Sequence, residues 1–173
     1  MRRTPGNMRF ANQVNEAARL AQAGNWRGSA NAYRKLYQDS GKKFDGWFWS
    51  LSGYTSIFRE EQATAHAEDI GFLDGLLKDR QGTPASHRAL AGHTLGLVYW
   101  MAGDREKCVK CYESVLKLAL TDSERGQYAM GPMYNATTEG ALFDMSVSVV
   151  RDNLDKLIKS KDTREFFGNC GPA

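Results

Sequence analysis

Apolar residues recur at intervals of three and four along most of this chain, and no stretch sustains the alternation that would predict a strand. Phe10, Val14, Ala17, Ala18 and Ala21 line one face of a first helix. Gly24-Asn25 ends it, since glycine suits the left-handed position after a helix and asparagine caps the next one. A second helix runs from Trp26 to about Asp39, with Ala30, Tyr33, Leu36 and Tyr37 on one side, and Ser40-Gly41 closes it. Asp45 is placed to cap a third, aromatic helix from Gly46 to about Phe58, which carries Trp47, Phe48, Trp49, Tyr54 and Phe58.

Glu60-Glu61 put negative charge where the dipole favours it, at the start of a fourth helix whose core face reads Ala63, Ala67, Ile70, Leu73 and Leu77. Gln81-Gly82 break that helix. Thr83-Pro84 then predict a fifth, a capping hydroxyl followed by proline at the first helical position, running to Ala102. Gly103-Asp104 end it and cap a sixth, Arg105 to about Leu120. Thr121 and Glu124 have capping-box spacing for another start. Gly126, Gly131 and Pro132 interrupt the helical pattern beyond it, and a last helix covers roughly Ala136 to Lys159. The tail from Phe166 reads as irregular.

The fifth and sixth helices carry Leu95-Gly96, Tyr99, Gly103, Cys108, Tyr112 and Val115-Leu116 in order. That pattern resembles the tetratricopeptide repeat, a helix–turn–helix unit of about 34 residues. Gly96 would let the two helices approach, Tyr99 and Tyr112 would fill the space between them, and Gly103 would make the turn. Cys108 stands where the family usually has Ala. The family's leading Trp and final Pro are replaced by Gly92 and Leu120. The first two helices fit the same frame more loosely, with Ala17, Leu20, Gly24, Ser29 and Tyr33 at the matching positions. The spacing from Gly24 to Gly103 exceeds two repeats by about 11 residues, which the middle pair must absorb. The stretch from Phe10 to Tyr37 would also suit a three-helix microtubule-interacting and trafficking domain, but the two matching glycine frames favour the repeat.

The resemblance implies an all-α solenoid forming a single domain. It has repeat pairs at about 10–43, 44–82 and 83–122, a C-terminal helical cap over about 123–160 and an irregular tail over about 161–173. It also implies a scaffold for protein–protein interaction rather than an enzyme. Its concave groove would hold a peptide or partner helix on Val14, Trp47, Tyr54, His93, Leu97, Trp100 and Met101, an apolar and aromatic set of the kind that anchors interfaces. Where the family's chaperone-binding members place the Lys and Asn of a carboxylate clamp, this chain has Val14 and Ala18, and the third pair has Leu90 and His93. Replacing the cationic donors by aliphatic groups removes the charge-assisted bonds such a clamp needs. The same apolar face has a second use, burial in a homo-oligomer or larger assembly or under the last helix.

At 173 residues, 42% hydrophobic and 25% charged, the chain has room for one real core. A net charge of +3 is too small for a dedicated nucleic-acid binder. Two arginines at the start with no apolar run behind them do not make a signal peptide, and no apolar stretch is long enough to span a membrane. Three cysteines, an odd number, point to reduced thiols and a cytoplasmic location. Cys108 and Cys111 form a CxxC that a helix would bring to one face. Zinc would need further ligands, for which only Cys170, His66, His87 and His93 are available, and a redox motif would want a βαβ context, so no metal and no cofactor is expected and a zinc or redox protein using Cys108 and Cys111 is the lesser alternative. His93 would sit in the groove, where a titrating imidazole can orient a ligand. Asn135-Ala136-Thr137 matches a glycosylation sequon, inert without a secretory signal. Lys156, Lys159, Lys161 and Arg164 make a basic helix end. No phosphate-binding, metalloprotease or nucleophile-elbow motif is present.

Overall fold

A computed structural model of the chain describes residues 5–40, 46–59, 61 and 63–119. These form six helices and no strand, so the fold is all-α as far as it is described. The expected cap at 123–160, the tail at 161–173, the sequon, the basic C-terminal helix end, Asp45 and Cys170 lie outside the described residues. No described helix is long and apolar enough to cross a membrane. The helices fall into two compact units, Met1–Ala63 and Thr64–Ala173.

The first unit holds α1 (Pro5–Gln22), α2 (Trp26–Ser40) and α3 (Gly46–Arg59). α2 packs on both of the others. The α1–α2 contact uses small residues: Ala17 and Ser29 are wholly buried, and the Ser29 hydroxyl donates to the Ala17 carbonyl at 2.7 Å. The α2–α3 contact is aromatic. Tyr33 lies on Gly53 so closely that a Cβ there would come within 2.5 Å of the ring. Tyr37 stacks on Trp47 with centroids 5.2 Å apart, and Tyr54 meets Phe58 edge-on at 5.1 Å.

The second unit holds α4 (Ala67–Lys78), α5 (Ala85–Met101) and α6 (Arg105–Leu116). α5 is the central element, packed on α4 and on α6. Residues 89–92 and 94–98 are buried, so most of α5 is covered, while Arg88, His93 and Tyr99 stay half-buried. Two glycines set its separation from its neighbours. A Cβ on Gly92 would meet Val115 of α6 at 2.6 Å and Leu77 of α4 at 2.9 Å. One on Gly96 would meet the Tyr112 ring at 2.5 Å.

The two turns predicted from glycine are the same structure. Gly24 and Gly103 both have φ of 75°, in the left-handed region. In each, the glycine N–H donates to the carbonyl three residues back and the next N–H donates to the one five back: Gly24 to Ala21 and Asn25 to Leu20, Gly103 to Trp100 and Asp104 to Tyr99. This is the paired hydrogen bonding of a Schellman C-terminus. Asn25 and Asp104 then cap the following helix, accepting from the N–H of Gly28 at 2.9 Å and of Lys107 at 3.1 Å.

Three local expectations are corrected. The fourth helix starts at Ala67, not at Glu60-Glu61. Residues 63–66 are non-helical, and the buried Asp69 carboxylate accepts the His66 N–H at 2.8 Å, which fixes the start there. Thr83 does not cap α5; its hydroxyl donates to Asp79 at 2.9 Å, and Asp79 also accepts the Gly82 N–H at 2.8 Å, closing the α4–α5 turn. α6 ends at Leu116, where the Leu118 N–H turns back to the Val115 carbonyl. α3 lies in the first unit and α4 in the second.

Candidate functional site: a basic cleft in the second unit

α4 and α6 flank α5 and face a cleft of about 970 Å³. Each presents one face to it at helical spacing. From α4 come Ala67, Ile70, Gly71, Asp74, Leu77 and Lys78; from α6 come Lys107, Lys110, Cys111, Ser114 and, just past its end, Lys117 and Leu118. α5 adds Arg88 and Tyr99, and the α4–α5 turn adds Arg80. Six cations therefore line the cleft with a single carboxylate, Asp74. Ile70, Leu77 and Leu118 supply apolar surface between them. Gly71 leaves space: a Cβ there would meet nothing within 4 Å.

The cations are held in place in different ways. Lys78 pairs with Asp74 at 2.7 Å, Lys107 with Asp104 at 2.7 Å, and Lys110 with Glu106. The carboxylate hydrogen bond raises each of these lysine pKa values, and the Lys107 bond lowers that of Asp104, so all three ammonium groups stay charged at neutral pH. The Arg88 Nε–H donates to the Leu77 carbonyl at 3.1 Å, which ties α5 to the end of α4. Arg80 and Lys117 have no carboxylate partner among the described residues. Tyr99 packs against the cluster shared by α5 and α6, as expected, and its half-buried ring also borders the cleft, with the Lys107 ammonium 5.1 Å from its centroid. Burial raises its phenol pKa, which keeps the hydroxyl a donor.

The seven residues expected to line an apolar groove are divided between the units. Val14, Trp47 and Tyr54 are in the first. Val14 is half-buried, Trp47 is stacked on Tyr37, and Tyr54 is fully buried. His93, Leu97, Trp100 and Met101 are in the second, gathered against α6. Leu97 and Trp100 form a buried cluster with Cys108 and Tyr112, on which Met101 packs. His93 meets the Tyr112 ring edge-on at 5.8 Å. Trp100 is 3% exposed, so it serves as core and not as a surface anchor. Among the described residues, Trp49 in α3 is the exposed large apolar side chain, at 41%.

Cys108 and Cys111 are both buried and free. Burial pushes each thiol up to about 12, with Cys111 adding to the effect on Cys108 and Asp74 to that on Cys111. At neutral pH they are protonated, a form that neither attacks nor ligates. No group of three or more metal-ligating side chains converges among the described residues.

Sequence reasoning missed the cleft. Part of its signal was present: Lys107, Lys110, Ser114 and Lys117 recur at three and four, a polar face on α6. What one helix cannot reveal is the facing row on α4, brought opposite by the packing of both on α5. Comparison of the chain with protein-family models, with curated proteins and with solved structures finds no match.

Proposed function

We propose that this chain is a helical-repeat binding module, a tetratricopeptide-like solenoid that holds a peptide or partner helix and performs no chemistry of its own. Two observations support the repeat architecture: the matched hydrogen-bonded turns at Gly24-Asn25 and Gly103-Asp104, and the close approach of Gly96 to Tyr112 between α5 and α6. The binding role rests on one, the cleft of about 970 Å³ between α4 and α6, which combines apolar floor and fixed charge. The docking surface is accordingly moved from the buried Leu97 and Trp100 to this cleft. The two protonated, buried thiols suit work in a reducing, cytoplasmic compartment.

The test uses Gly71, where an added side chain meets only open space. Gly71→Trp fills the cleft without disturbing the core, and circular dichroism checks that helix content is kept. A random-peptide display library is panned on the wild type and its clones are re-tested on the variant. Clones that bind the wild type at least about tenfold more tightly than Gly71→Trp support the cleft as the docking site. A library that yields no such clone overturns it.

A further inference from the structure

The chemistry of the cleft narrows its partner. We propose that it takes a short acidic amphipathic segment of another protein, with carboxylates on the cationic walls and an apolar side chain over Ile70, Leu77 and Leu118. This rests on the binding reading above and goes further by naming the ligand class. The first argument is charge. Six cations face one carboxylate in the lining, and Arg80 and Lys117 have no described carboxylate partner, so an incoming anion gains attraction without breaking an existing pair. Arg88 uses its Nε–H on the Leu77 carbonyl, which leaves its other guanidinium donors for a carboxylate. Tyr99 contributes a hydroxyl donor at the same wall.

The second argument separates a peptide from a polyphosphate or nucleic acid. Lys78, Lys107 and Lys110 each have a carboxylate beside them, in Asp74, Asp104 and Glu106. Closely spaced phosphates would be repelled by those three anions. Well-separated carboxylates can avoid them. A phosphate backbone also has nothing to place on the apolar floor, whereas a Leu or Phe among acidic residues does. α4 and α6 are 12 residues long. Each spans about 18 Å, room for about three turns of a partner helix or five extended residues. The residues involved are not the clamp positions considered above, Leu90 and His93, and a free C-terminal carboxylate is not required.

The experiment is fluorescence anisotropy with the full chain and three labelled probes. These are a short synthetic peptide of alternating Glu and Leu pairs, the same peptide with Gln for Glu, and a single-stranded oligonucleotide of equal charge. The variants are Gly71→Trp and the double charge reversal Arg80→Glu/Lys117→Glu, both at exposed positions and both checked by circular dichroism. The expected result is binding of the acidic peptide that weakens at least about tenfold in either variant and again between about 50 and 300 mM NaCl, with the Gln peptide much weaker. Equal binding of the Glu and Gln peptides overturns the proposal. So does acidic-peptide binding that ignores both variants, or an oligonucleotide that binds more tightly than the peptide. If panning yields clones that depend on Gly71 but are not acidic, this inference falls while the binding reading stands. If no clone depends on Gly71, both fall.

Discussion

Gly96→Ala isolates the close approach of α5 and α6. The new Cβ would lie 2.5 Å from Cε1, 2.9 Å from Cδ1 and 3.0 Å from Cζ of Tyr112, far inside ordinary contact. The ring has little room to yield. Tyr112 is 2% exposed, belongs to the cluster of Leu97, Trp100 and Cys108, and has His93 against it. Overpacking of this kind costs about 1–3 kcal/mol. Against that stands the gain from replacing a helical glycine by alanine, about 0.5–1 kcal/mol. The net expectation is a loss of up to about 2.5 kcal/mol, centred on about 1 kcal/mol. Gly75→Ala in α4 supplies the control, because its Cβ would meet nothing within 4 Å and the gain of about 0.5–1 kcal/mol is unopposed. Both glycines lie in the second unit, so urea titrations followed by far-ultraviolet circular dichroism compare like with like. Trimming the ring by Tyr112→Leu should relieve the Gly96→Ala penalty, a coupling that a double-mutant cycle reads directly. If Gly96→Ala stabilises the protein as much as Gly75→Ala does, the steric argument is refuted.

Two further outcomes rest on burial. Trp100→Ala should cost about 3–5 kcal/mol in the same titration, and a loss below about 1 kcal/mol would remove Trp100 from the core. Cys108 and Cys111, moved from an ordinary 9.0 to about 12, should be alkylated about a thousandfold more slowly in the native protein than in urea at pH 8, read by mass spectrometry of the peptide that carries both. Because the folded pKa lies above the unfolded one, the stability these thiols lend is fully present below pH 9 and is lost between pH 9 and 12. Native alkylation as fast as that in urea would contradict their burial.

Much of the local structure was legible in the sequence because its causes are local. Gly24-Asn25 and Gly103-Asp104 each place a left-handed residue and a capping side chain within a few bonds of the backbone groups they satisfy, so the dipeptide specifies the turn. The three-and-four spacing identified α1, α2, α3 and α5 to within a residue or two at most of their ends, and the packing of Tyr112 on Gly96 came from the repeat pattern. The fourth helix start was missed because glutamates at 60–61 suit a helix N-terminus in general, whereas Asp69 closing on the His66 N–H decides it in particular.

The tertiary structure decided which faces meet, and with them the site. An apolar row on α5 reads the same whether it is an open groove or a core; only contact with α6 shows that Leu97 and Trp100 are enclosed. The cations of the cleft come from three helices and a turn, and no periodicity in any one helix encodes their convergence. Helix ends and periodicity are set by hydrogen bonds and side-chain spacing over a few residues, so the sequence determines them by itself. Burial and charge clustering depend on surfaces brought together from distant parts of the chain, so they exist only once it has folded.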